Sequence, residues 1–88
     1  MINLSTEPTK LTFDAEELSN HPNKWEALGM LIYLLEHDSS LVREGVVYGL
    51  AGLGNMPGVK EALQRHTLEE IDPSPGVRAA CRDALDSL

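Results

Sequence analysis

This sequence predicts an all-α fold, an α-α superhelix of two helix pairs behind an N-terminal capping segment, and three observations carry the prediction. The first is an internal repeat: the stretch from Val42 to Leu53 overlies the stretch from Val77 to Leu88 at an offset of 35 residues. Val42/Val77, Arg43/Arg78, Leu50/Leu85 and Leu53/Leu88 match outright, and small residues coincide at Gly45/Ala80 and Gly49/Ala84. A repeat of this length marks stacked helical units, each burying its apolar face against the next. The second is an acid and a short Ser- or Pro-containing turn before each copy, at Asp38 and Asp72. The third is apolar spacing at three and four residues along each stretch, the period of a half-buried helix.

The elements follow in order. Residues 1 to about 13 show no helical period; Thr6, Pro8, Thr9 and Thr12 read as extended chain, anchored by Leu11 and Phe13. A short helix is expected over 14–18, with Asp14 as cap and acids in the first turn, where the helix dipole favours them. His21-Pro22 ends it, because the residue before proline avoids the helical region. Asn23-Lys24-Trp25-Glu26 has the spacing of a capping box. The helix it opens is expected to run from Lys24 to His37. Trp25, Leu28, Leu31 and Leu35 form its apolar face, Ile32 and Leu34 widen it, and Trp25 and Tyr33 read as core or N-terminal packing.

Asp38, Ser39 and Ser40 offer cap oxygens to a helix from Leu41 to Leu53, with Val42, Val46, Gly49/Leu50 and Leu53 as its core stripe. Gly45, Gly49 and Gly52 lie along one side of it. Each costs about 1 kcal/mol against alanine, so a close neighbouring helix is expected there. After the turn from Gly54 to Gly58, a third helix runs from about Pro57 to Glu70, with proline near its first position. Its stripe weakens at His66, which predicts a kink or break at His66 or Thr67. Asp72-Pro73-Ser74-Pro75-Gly76 reads as a turn one residue longer than its counterpart, and a last helix covers Val77 to about Ser87. One domain results, 1–88, with an N-terminal segment over 1–22 and repeats over 23–54 and 55–88.

Ordering 88 residues at 42% hydrophobic content demands that nearly all the apolar side chains be buried. Seven Lys and Arg against fourteen Asp and Glu give a net charge of -7. A nucleic-acid binder needs a basic footprint, so direct contact with DNA or RNA is not expected. The acidic balance fits a basic protein partner drawn by electrostatic steering, and it equally fits solubility alone. The single Cys81 excludes a disulfide framework. Met1-Ile2-Asn3-Leu4-Ser5 lacks the basic start of a secretion signal, and the Gly45 to Gly54 run is too short to span a bilayer. A cytoplasmic protein is expected, with no membrane contact.

An acid, a short turn, then Val-Arg followed by small residues and Leu resembles the second helix of a HEAT repeat, in the short bacterial form also found in phycobilisome lyases. The second copy, from Asp72 through Val77-Arg78-Ala79-Ala80, is the stronger match, and the likeness covers about residues 24 to 88. It implies a structural ladder of Asp38, Arg43, Asp72 and Arg78, in which the acid caps the following helix and the arginine reaches toward an acid or a turn carbonyl of an adjacent unit. It also implies that the second helices line the concave face where targets dock. Two units are fewer than the three usual for stability, so the far side of the last helix is left without evident cover, which points to a partner or to a homodimer.

Candidate chemistry is sparse. Cys81 falls on the core stripe, where a thiol is inert. His21, His37 and His66 lack metal-ligand spacing, no cofactor motif is present, and His66 reads as a core or boundary residue. Glu69, Glu70 and Asp72 read as a solvated acidic corner, so the chain is expected not to be an enzyme. The partner-binding candidates are Glu44, Val47, Tyr48, Arg82, Asp83 and Asp86. Where the last helix has Arg-Asp, the earlier copy has Val47-Tyr48; these two either anchor a partner or pack under the N-terminal segment. The leading expectation is a protein-interaction module of adaptor, inhibitor or immunity type, binding a protein partner through an acidic concave face. The alternatives are an accessory subunit of a chromophore lyase and a self-assembling homodimer.

Overall fold

The computed structural model describes residues 4–88, so the Met1-Ile2-Asn3 start of the N-terminal segment lies outside the described residues. Five α-helices follow one another: α1 (Pro8–Glu17), α2 (Lys24–Leu34), α3 (Ser40–Leu53), α4 (Val59–Arg65) and α5 (Pro75–Asp86), with a 3-10 turn over Leu18–Asn20. The described residues contain no strand, and none of their helices is long and apolar enough to cross a membrane.

The helix α3 occupies the centre. It packs against α1 on one flank and α5 on the other, while α2 and α4 cover the inner side of this three-helix layer. The glycines set one of these contacts. A Cβ added at Gly45 would overlap the Thr12 carbonyl and hydroxyl, and one at Gly49 would overlap the Ala15 carbonyl and lie 2.8 Å from Leu31 Cδ2. Gly52 in turn faces Ser19. The contacts rise in step along both chains, so α1 and α3 run parallel with their backbones nearly touching. Between the layers lies an aliphatic core that includes Leu11, Leu31, Leu35, Val42, Val46, Leu50, Leu63 and Val77.

The N-terminal segment departs from expectation. Its helix starts at Pro8, and Asp14 lies mid-helix rather than at a cap. Proline suits a first helical position because its fixed φ is already helical. Leu11, Ala15 and Leu18 then give a buried stripe at steps of four and three, joined by Thr12. Thr12 is tolerated because its hydroxyl donates to the Leu41 carbonyl at 2.7 Å. Asp14 accepts the Ser5 N–H at 2.8 Å and pins the preceding chain.

In α2 the Asn23 side chain caps the Glu26 N–H at 3.1 Å as the sequence suggests, but the helix ends at Leu34, three residues before His37. Its inward face is Ala27, Leu28, Leu31, Leu34 and Leu35, which puts Trp25 and Tyr33 outside. The helix α4 stops at Arg65 with His66 as its C-cap, where the stripe weakens; residues 66–71 form turns.

The turns before α3 and α5 are built alike. Ser39 Oγ accepts the Val42 N–H at 3.5 Å, and Ser74 Oγ accepts the Val77 N–H at 3.3 Å. The Ser39 N–H donates to His37 Nδ1 at 3.0 Å, and the Ser74 N–H donates to Asp72 Oδ1 at 3.1 Å. Every one of these pairs is separated by the same offset as the helices. The second turn is therefore not one residue longer, and the counterpart of Asp72 is His37. The carboxylate of Asp38 has no hydrogen-bond partner among the described residues, and serines rather than acids cap both helices.

Candidate partner-binding surface

Two places combine unusual side chains: a buried polar junction between the units, and the outer edge of the three-helix layer. The junction centres on Asp72, which is buried although its neighbours Glu69 and Glu70 are exposed. Arg43 grips it with a fork, Nε to Oδ2 at 2.9 Å and Nη2 to Oδ1 at 3.0 Å. His66 Nδ1 lies 3.0 Å from Oδ2, and since an ionised carboxylate only accepts, this nitrogen carries the proton. With the Ser74 N–H, four donors fill the carboxylate. Arg43 Nη1 also reaches the carbonyls of His37 at 2.7 Å and Asp38 at 3.0 Å; Arg78 Nη1 reaches the Asp72 carbonyl at 2.8 Å in the equivalent position.

Burial alone would push the Asp72 carboxyl up, but the hydrogen bonds from Arg43, His66 and Ser74 outweigh it and hold the group below its ordinary value. The Arg65 hydrogen bond, at 2.5 Å, likewise holds Glu36 low against a partial burial cost. The junction resembles an acid–histidine pair, but the far nitrogen of the ring, His66 Nε2, is buried without a hydrogen-bond partner, 3.5 Å from Glu36 Oε1. Cys81 offers no nucleophile, since burial pushes its thiol up to about 11, with Asp72 adding to the shift and Arg82 opposing it. Among the described residues no group of three or more His, Cys, Asp and Glu could hold a metal ion. Clefts of about 230 Å³ beside Arg43 and Asp72 and about 270 Å³ between α2 and α4 fall short of the roughly 300–1,000 Å³ of ligand pockets. The junction ties the turn before α3 to the turn before α5, with Arg43 bonded to the His37 carbonyl and to the Asp72 carboxylate.

The outer edge has a different character. All four aromatic residues of the chain are exposed by more than half: Phe13 at 66%, Trp25 at 65%, Tyr33 at 75% and Tyr48 at 58%. A small domain short of core material leaves its four largest apolar side chains in water. Phe13 on α1 and Leu41 and Tyr48 on α3 belong to the three-helix layer, and Trp25, Ile32 and Tyr33 to α2.

Of the residues singled out in the sequence, Tyr48, Arg82, Asp83 and Asp86 are exposed and Glu44 is half-exposed. Val47 is fully buried. It lies three and four residues after Glu44 and Arg43, both of which reach toward the start of α5, so the packing of α5 covers it rather than the N-terminal segment. Val47 therefore leaves the surface set, and Phe13 and Leu41 join it. Phe13 could have been found from the sequence had α1 been started at Pro8, since it then lies off the Leu11, Ala15 and Leu18 stripe. The outward side of α5 carries Ala79, Arg82, Asp83 and Asp86 and no exposed large apolar side chain.

No protein-family model, no curated protein and no solved structure matches this chain.

Proposed function

We propose that this chain is a non-catalytic, HEAT-like protein-interaction module of the adaptor, inhibitor or immunity type, which binds a protein partner through the outer edge of α1, α3 and α5. The observation that supports this reading is the exposure of Phe13 and Tyr48. A few residues carry most of the energy of protein interfaces, tyrosine is enriched among them and phenylalanine at interfaces generally, and burying either one here would have added to a thin core. Tyr48 and Glu44 stand one helical turn apart, so ring and carboxylate share a face. Exposed acids on these three helices are Glu16, Glu17, Asp83 and Asp86, against the exposed bases Lys10 and Arg82, a balance that suits a basic partner.

The test is retention of proteins from a native cell extract on immobilised chain, comparing wild type with the Phe13→Ala, Tyr48→Ala double variant. Both side chains are exposed, so the helical circular dichroism should be unchanged. The variant should lose at least about tenfold of a specifically retained protein, the effect of one hot-spot residue. Equal recovery by the two proteins would reject this face.

A further inference from the structure

We infer that the flank of α5 carrying the half-exposed Arg78 and the exposed Arg82, with Leu85 packed against the core at its margin, is a second docking surface, which receives a helical element of a partner protein with an aspartate in the turn before it. The argument comes from the chain's own repeat. At the offset of 35 residues, Arg78, Arg82 and Leu85 stand where Arg43, Val47 and Leu50 stand in α3. In α3 those three positions are buried. On that side Arg43 holds the next unit by closing its Nε and Nη2 fork on Asp72, the residue two before the cap of the incoming helix.

Arg78 repeats half of this arrangement. Its Nη1 donates to the Asp72 carbonyl at 2.8 Å, as Arg43 Nη1 does to the His37 carbonyl. That bond aims the guanidinium along the same direction relative to its own helix, and among the described residues Arg78 makes no ion pair. The fork that Arg43 spends on a carboxylate is open in Arg78. Arg82, one turn further along the same flank, replaces the apolar Val47 with a second guanidinium, so the flank selects an acidic element rather than an apolar one. Planar guanidinium forks recognise carboxylates through two parallel hydrogen bonds. Arg82 borders the acidic aromatic edge as well, whereas Arg78 is not among the residues of that edge, and the two surfaces call for partners of opposite charge.

The experiment supplies an acidic helical unit of known geometry, by appending a second copy of residues 54–88 to the full chain. The added copy of Asp72 then falls 29 residues after Arg78, the separation of Asp72 from Arg43. The added unit should fold onto the flank, and the extended chain should unfold at higher urea than the natural one. Asn in place of the added aspartate should reduce the folding equilibrium about ten- to a hundredfold, as expected for a charge-assisted fork. The same change should have no effect when Arg78→Gln is already present in the host. An added unit that stays unfolded, or one equally stable with aspartate or asparagine, overturns the inference. The retention assay on the aromatic edge is unaffected by either outcome.

Discussion

The two flanks of α3 hold their neighbours by opposite means. Toward α1 the seam is made of backbone: Gly45 and Gly49 let the Thr12 and Ala15 carbonyls come into contact range, and one hydroxyl bond from Thr12 fixes the register. Toward α5 the seam includes charge, with Arg43, Asp72 and His66 buried together. The difference teaches what each can tolerate. A seam made of close approach is intolerant of volume and indifferent to pH. One made of filled lone pairs is sensitive to the loss of any partner and to protonation.

The largest effect should come from emptying the charged seam. Arg43→Ala leaves Asp72 buried without its fork and should destabilise by about 3–5 kcal/mol, read from urea unfolding followed by circular dichroism. A loss below about 1 kcal/mol would mean that water replaces the guanidinium and the fork does not hold the seam. Next comes the volume test on the other flank. Gly45→Ala gains helix propensity but drives a methyl into the Thr12 carbonyl, for a net loss of about 1–3 kcal/mol. Gly29→Ala on α2, where a Cβ meets nothing within 4 Å, should instead stabilise by up to about 1 kcal/mol. If both glycines respond alike, close approach is not what separates them.

Acid should sharpen the contrast. Asp72 titrates below its ordinary value in the folded chain, so the unfolded chain takes up the proton first. The stability it supplies is complete above about pH 5 and drains away as pH falls through the ordinary value and then the lower folded one. Urea midpoints measured from neutral pH to about pH 3 should therefore fall, and Asp72→Asn should flatten that fall. Gly45→Ala should lower the whole curve without changing its shape. The smallest effect belongs to Arg65→Ala. Its pair with Glu36 spans α2 and α4, but both side chains are more than half exposed, and such pairs contribute roughly 0–1 kcal/mol.

Much of this architecture was legible because it is written twice. The repeat, the serine-bearing turns, the glycine side of α3 and the break at His66 all have local signatures. Where reading failed, the cause was tertiary. The helix α1 was hidden because Thr12 interrupts its stripe, and only the Leu41 carbonyl makes a buried threonine acceptable there. Trp25 and Val47 exchange their expected places for a related reason: hydropathy ranks a tryptophan with the core, but position on the helix decides, and Ala27 rather than Trp25 faces inward. The acid before the first turn misled as well. Asp38 mimics Asp72 by type, whereas His37 matches it at the offset of 35 residues, and the hydrogen bonds to the Ser39 and Ser74 N–H groups follow that register.

The outward position of Trp25 bears on how this protein should be watched. Its indole already meets solvent in the native fold, so its emission maximum should barely move when the chain denatures, making it a poor reporter of folding. The same indole should shift to shorter wavelength when another protein covers α2, turning the lone tryptophan into a built-in, label-free sensor of that event.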